Sequence, residues 1–323
     1  VANLPRVTAQ DTPVRYGYFG PQGTFTQMAL ASWLDSDEAA LAAATPFGTV
    51  ALALDAVRAG EVDRVMVPIE NSVEGGVAAT LDALNGGEPL IIQGEVLVPI
   101  TFVLAAPAGT DRSTIRGVGS HSHAWPQVRG WMAQHLPEAS YVPTLSTAAA
   151  AEALASTGGD RPPYEAAVCA PMAAEVFGLD VLARDIGDNA AAVTRFVVVS
   201  RPGSVPEPTG ADKTTVVMFQ HDDHPGGLLE LLEQFATRGI NMTRLESRPT
   251  GAAMGSYCFS IDFEGHVSDE RVGETLVGLK RVCADVRFLG SYARADRRPV
   301  QATPTTTDAA YADARAWLHS LRG

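Results

Sequence analysis

Cysteine is scarce in this chain of 323 residues: Cys169, Cys258 and Cys283 are odd in number and far apart. That excludes a disulfide framework and a thiolate metal site, and leaves three small buried hydrophobes. Positive charge is scarce as well, with 24 Lys and Arg against 37 Asp and Glu and a net charge of −13. A phosphate-binding face needs a positive field, so nucleic acid is not an expected partner. No stretch of membrane-spanning length is free of Gly, Pro and charge, and the first 30 residues contain no basic segment running into an apolar one. We therefore expect a cytosolic protein with no membrane partner. Of seven His residues only His121 and His123 are close in sequence, with no carboxylate or Cys at ligand spacing, so no metal is expected. The glycine motifs of nucleotide chemistry are missing: GYFGPQG is not G-x-G-x-x-G, and G-x-x-x-x-G-K-[ST] is absent. Ser120 lies in VGSHS and Ser72 in ENSVE, neither of them G-x-S-x-G, which disfavours serine-hydrolase chemistry. No cofactor is expected.

What is present is alternation. Over residues 14–200, strand-like runs at 14–19, 64–69, 115–119 and 166–170 are followed by helix-like stretches at 25–34, 77–84, 126–135 and 172–177. This is the α/β signature of βαβ units and a mostly parallel sheet. The segment 90–104 is extended and apolar with Pro99 inside it, suited to linking two lobes of sheet, and TRFVVVS (194–200) closes the region. Residues 201–212, RPGSVPEPTGAD, form an expected linker. Strands at 215–220, 241–247, 256–263 and 286–290 and helices at 226–238 and 269–282 then follow in the order βαββαβ, the ferredoxin-like arrangement. Leu228, Leu231, Leu232 and Phe235 share one stripe of the first helix, and Val272, Leu276, Leu279 and Val282 one stripe of the second. Both should cover one face of an antiparallel sheet and leave the other, or an edge, for a partner. In the tail, 295–323, a short helix carrying Trp317 either docks or frays.

Ligands of open α/β sheets collect at the carboxyl ends of strands, beside helix N-termini. Polar clusters stand at four such junctions: 20–26, 70–76, 120–123 and 144–147. Each is open to a second reading as ordinary capping and turn chemistry. Together they indicate a cleft for a small anion.

GPQGTFT (20–26), PIENSVEGG (68–76), SHSHAWPQ (120–127) and TRFVVVS (194–200) together resemble the catalytic domain of prephenate dehydratases, and HPGGLLELLEQFATRGIN (224–241), ESRPT (246–250) and LGSYAR (289–294) resemble the ACT amino-acid-sensing domain that follows it. The resemblance spans about residues 14–294. It implies a two-lobed, periplasmic-binding-protein-like catalytic domain (14–200), a linker (201–212), a ferredoxin-like ACT domain (213–294) and a tail. The implied reaction is decarboxylating dehydration of prephenate to phenylpyruvate, in phenylalanine biosynthesis. The chain departs from the family pattern at Ala192, where Asn is frequent, in the SHSHAWPQ loop, and at Gly227 and Ala293.

By resemblance Thr194 is the proton donor or relay at the departing hydroxyl, a role worth about 10²–10⁴-fold in rate. Arg195 has two readings, a bidentate ligand for a substrate carboxylate or a structural ion pair, and strand alternation points it away from Thr194 and Phe196. Phe196 packs beneath Thr194 or stacks on the ring. Asn71 and Ser72 are expected to line the pocket, with Glu70 orienting Asn71 or capping. Gln22, Thr24, Ser120 and Thr147 are each a ligand or a cap. In the second domain Gly226, Gly227 and Leu228 open a helix where bare backbone approaches a carboxylate, and Glu246, Ser247 and Arg248 end a strand. By resemblance these form a phenylalanine pocket where two ACT domains meet, implying a homo-oligomer, dimer or tetramer. Two rival readings stand beside this one: arogenate dehydratase, and a small-anion binding protein without catalysis.

Overall fold

A computed structural model describes residues 13–156, 161–221, 224–250 and 257–322. Its strands assemble into three sheets. In the first, Thr45–Phe47, Tyr16–Phe19 and Arg64–Asn71 run parallel, and Val193–Ser200 and then Ile91–Pro99 continue antiparallel. In the second, Gly117–Ser120 lies parallel to both Ser140–Pro143 and Ala166–Cys169, with Val103–Ala106 and Asp180–Ala183 antiparallel on the far side. The apolar run at 90–104 enters both sheets, breaking after Pro99 to pass from one lobe to the other.

Local chemistry sets the helices that face the cleft. Thr24 caps Phe25–Trp33 by accepting from Gln27 N at 3.4 Å, and Ser146 caps Thr147–Ala155 by accepting from Ala149 N at 2.9 Å. The helix expected over 126–135 is divided into a 3₁₀ turn, Trp125–Gln127, and a helix, Arg129–His135. Pro126 supplies no N–H to the first turn, and Val128, at φ −126°, leaves helical geometry. Residues 38–59 hold two helices and a strand that the alternation passed over, because an alanine-rich stretch gives little apolar contrast. Thr49 starts Val50–Ala59, and Gly60 ends it at φ +75°.

The third sheet is antiparallel in the order Met242–Pro249, Tyr257–Glu264, Asp212–Phe219, Asp285–Ala293. Ser256, expected to open its second strand, lies outside the described residues. The strand beginning at Asp212 takes in the last residue of the expected linker. Helices Gly227–Ala236 and Glu270–Val282 cover one face through Leu231, Phe235, Val272 and Leu279, while Leu228, expected on this stripe, is partly exposed.

The opposite face of this sheet packs on the first lobe. Val217, Cys258, Leu289 and Tyr292 join one core with Leu84, Ile92, Val197 and Val199. The tail helix Asp308–Arg322 buries none of its side chains, and Trp317 stays 64% exposed; Arg315 pairs with Glu270 beside it.

Candidate active site

Between the two lobes lies a cleft of about 280 Å³. The first lobe contributes Pro21, Thr24, Pro68, Asn71, Glu74, Thr194 and Phe196, and the second contributes His121, His123, Gln127, Ser146 and Thr147. Phe19, Phe25, Ile100, Phe102 and Leu145 give it an apolar wall, with Phe25 and Phe102 edge to face at 5.6 Å. The first turns of Phe25–Trp33 and Thr147–Ala155 both open onto it, so two helix N-termini present partial positive charge from opposite lobes.

At its base Asn71 Nδ2 donates to Thr194 Oγ1 at 2.7 Å. The amide cannot be turned round, because Asn71 Oδ1 already accepts from Val73 N at 2.7 Å and Glu74 N at 3.2 Å. With a donor aimed at its oxygen, the Thr194 hydroxyl keeps its own proton for the cleft. This pairing depends on an irregularity in the sheet. Phe196 lies opposite Pro68, but Arg195 lies opposite Glu70 and Thr194 opposite Asn71, so Ile69 is an inserted residue. Had the register of Phe196 and Pro68 continued, Glu70 would stand opposite Thr194. The bulge exchanges that carboxylate for a neutral amide in the cleft.

Ser72, expected in the pocket, is engaged with the strand: its Oγ accepts from Val193 N and its N–H donates to Val193 O, both at 2.9 Å. Ser120 is fully buried beneath the cleft and donates to Val168 O at 3.0 Å. Gln22 is exposed and outside the lining. Thr24 and Thr147 face the cleft at helix starts, and Phe196 lies under the same wall. His121 and His123, read in the sequence as part of the polar junction 120–123 and given no individual role beyond metal ligation, line the cleft, and their rings meet at 5.0 Å. Their position after the strand Gly117–Ser120 was the available signal. His123 Nδ1 stands 3.4 Å from Glu74 Oε2, a contact from lobe to lobe. Burial and the neighbouring His123 push the His121 pKa below its ordinary value.

Arg195 is not brought to this cleft. Period-two alternation sends it through the sheet to the opposite face, where it is 5% exposed. There it pairs with Glu70 and Glu95 of its own lobe, each at 2.9 Å, and with Asp262 of the third sheet at 2.6 Å, and it donates to Tyr292 Oη at 3.2 Å. Lys213 completes a pair with Glu95 and Arg244 one with Asp262, each at 2.9 Å. Three cations thus face three carboxylates, which lets the cluster sit under the interface without net charge. Burial opposes the charge on Arg195, but Asp262, with Tyr292, Glu95 and Glu70, more than offsets it and raises its pKa. Burial likewise opposes charge on Asp262, and Arg195 and Arg244 overcome it, holding its carboxyl well below the usual range.

In the third-sheet domain Gly226, at φ +90°, precedes the helix of Gly227 and Leu228. A Cβ on Gly227 would stand 2.8 Å from the Gln220 side chain. Ser247 is exposed on the edge strand Met242–Pro249. Its neighbours turn towards the first lobe: Glu246 Oε1 accepts from Gly76 N at 3.1 Å, and Arg248 pairs with Asp82 at 2.7 Å. Within one chain, therefore, these two charged side chains engage the first lobe rather than the glycine turn.

Residues 16–204 match the family model described as Prephenate dehydratase, and 214–280 match the one described as ACT domain. A curated prephenate dehydratase of Amycolatopsis methanolica is 46% identical, covering 95% of this chain and 98% of the relative. A crystal structure of prephenate dehydratase from Arthrobacter aurescens in complex with L-Phe is 56% identical, with a TM-score of 0.89, covering 96% and 100% of the two chains. A structure described as GqqA, a novel type of quorum quenching acylase, is 29% identical, with a TM-score of 0.77 over 88% and 99%.

Proposed function

The chain belongs to the prephenate dehydratase family and carries an ACT domain, and from that premise we propose that its cleft converts prephenate to phenylpyruvate, carbon dioxide and water. On this reading it serves phenylalanine biosynthesis in the cytoplasm and is inhibited by phenylalanine bound at the ACT domain. The observation that carries the reaction is the hydrogen bond from Asn71 to Thr194.

The dianion loses its ring carboxylate as carbon dioxide, the bonding pair moves into the ring, and hydroxide departs from the opposite carbon while taking up one proton. Aromatisation drives the step, so the catalyst chiefly assists the leaving oxygen. The Thr194 O–H is directed to that oxygen, and the hydrogen bond strengthens as negative charge builds there, which lowers the barrier rather than merely binding substrate. The remaining carboxylate is met by the two helix N-termini, by Thr147 and by the His pair, because the described lining of the cleft contains no Lys or Arg and the Thr24 hydroxyl already donates to Pro21 O. The Phe25 and Phe102 wall takes the ring and poorly solvates the carboxylate to be lost, favouring its departure as neutral carbon dioxide.

Hydrolysis of an acyl group finds less support. Among the described cleft residues, Ser146 Oγ is occupied as a helix cap, and Ser120 beneath them is bonded to a carbonyl. Phenylalanine would place its carboxylate at Gly226, Gly227 and Leu228, with Glu246, Ser247 and Arg248 contributed across a contact between two copies. Leu245, exposed on an edge strand paired on one side only, and Leu228 and Leu229, exposed at the start of the helix Gly227–Ala236, support a homo-oligomer, dimer or tetramer.

The test is turnover of prephenate and of arogenate side by side, with phenylpyruvate followed by absorbance and with phenylalanine added. Prephenate turnover lowered by phenylalanine is expected. A folded protein that makes no phenylpyruvate would overturn the reading.

A further inference from the structure

We propose that Arg195 is a positioning residue through which the docked ACT domain sets the geometry of the Thr194 and Asn71 pair; this rests on the reaction assigned to the cleft above. Two dipeptides face each other across the bulge, Thr194-Arg195 on one strand and Glu70-Asn71 on the next. The inner residue of each meets in the cleft, Asn71 on Thr194 at 2.7 Å. The outer residue of each meets on the far face, Arg195 on Glu70 at 2.9 Å. Neither strand can shift without breaking both contacts.

The outer contact is anchored from the ACT domain. Asp262, fully buried, holds the Arg195 guanidinium at 2.6 Å, and Tyr292 Oη accepts from it. Asp262 is itself held by Arg244 and by Thr215, whose hydroxyl donates to it at 2.9 Å. These groups lie on all four strands of the ACT sheet: Thr215 on Asp212–Phe219, Arg244 on Met242–Pro249, Asp262 on Tyr257–Glu264 and Tyr292 on Asp285–Ala293. A rigid element of the sensor thus reaches, through one side chain, the backbone that carries the proton donor. Removing the anchor leaves Arg195 held only from its own lobe, by Glu70 and Glu95, and loosens the bulge with it.

The experiment uses the full chain with Asp262→Asn, with Glu95→Gln as a second variant touching the same guanidinium, and with Arg287→Gln as a control. Arg287 also crosses the domain interface, donating to the Leu84, Gly86 and Gly87 carbonyls, but it does so away from the bulge. Turnover number and KM for prephenate are measured beside hydrogen–deuterium exchange over 69–76 and 193–196. A folded Asp262→Asn or Glu95→Gln protein is expected to lose at least tenfold in kcat with KM within threefold, and to exchange at least tenfold faster in those two segments. Arg287→Gln is expected to stay within twofold throughout. Wild-type exchange in both folded variants would overturn the proposal, as would an unchanged kcat or a rise confined to KM. If the parent protein makes no phenylpyruvate, the reaction assignment has failed and the exchange comparison alone decides the positioning role.

Discussion

At the scale of single residues the proposed chemistry turns on one hydroxyl and the amide that points at it. Thr194→Val preserves shape and removes the proton, so it is expected to keep the fold and lose about 10²–10⁴-fold in kcat. Asn71→Asp should lose a similar factor for a different reason. Its carboxylate would accept the Thr194 proton instead of donating to the oxygen, and would set a charge against a dianion. Steady-state kinetics with circular dichroism checks both, and either variant turning over at the wild-type rate contradicts the assigned geometry. Thr194 and Asn71 were legible through their motifs. The orientation of Asn71 was not, since Val73 N and Glu74 N that fix it are placed by the hairpin. Arg195 was half legible: alternation along the strand gave its direction, while its partner Asp262 lies 67 residues further along the chain and no local pattern joins them.

At the scale of elements, two irregular strands do what regular ones cannot. One is the Ile69 bulge opposite Thr194. The other lies in Asp285–Ala293, where Thr215 pairs with Gly290 but Val216 pairs with Phe288. Gly290 sits at φ +129°, and a Cβ there would stand 2.5 Å from Ile92 O of the first lobe. Only glycine combines that dihedral with so close an approach. Gly290→Ala is expected to cost about 1–3 kcal/mol or more in urea unfolding, through strain and loosened docking. A midpoint equal to the parent's would show that the sheets do not press together at this point. The helix start at Thr24 was legible, because capping is local chemistry between residues three apart, whereas at the junction where Thr147 was weighed as a cap Ser146 takes that place. Bulges were not, because an inserted residue is defined only against a partner strand.

For the whole molecule, the net charge of −13 says little about the cleft and more about what had to be neutralised inside. Asp262 is held well below the usual carboxylate range by Arg195 and Arg244 against the cost of burial. A depressed folded-state pKa gives stability that is complete above the unfolded value of about 3.9 and is lost as pH falls below it. Urea unfolding is therefore expected to change little with this group from pH 7 to 5 and to weaken below about pH 4, with Asp262→Asn showing a shallower acid decline. An identical decline in parent and variant would remove Asp262 from that account. The sequence by itself determined the lobes, the ACT domain, the helix start at Thr24 and the residue types of the cleft, because periodicity, capping and motif chemistry act over a few neighbouring positions. Only the tertiary structure decided that Asn71 rather than Glu70 faces Thr194, that Arg195 serves the domain interface, and that the ACT sheet shares a core with the first lobe. Each of these depends on contacts between segments far apart in the chain, where register and docking are set by packing.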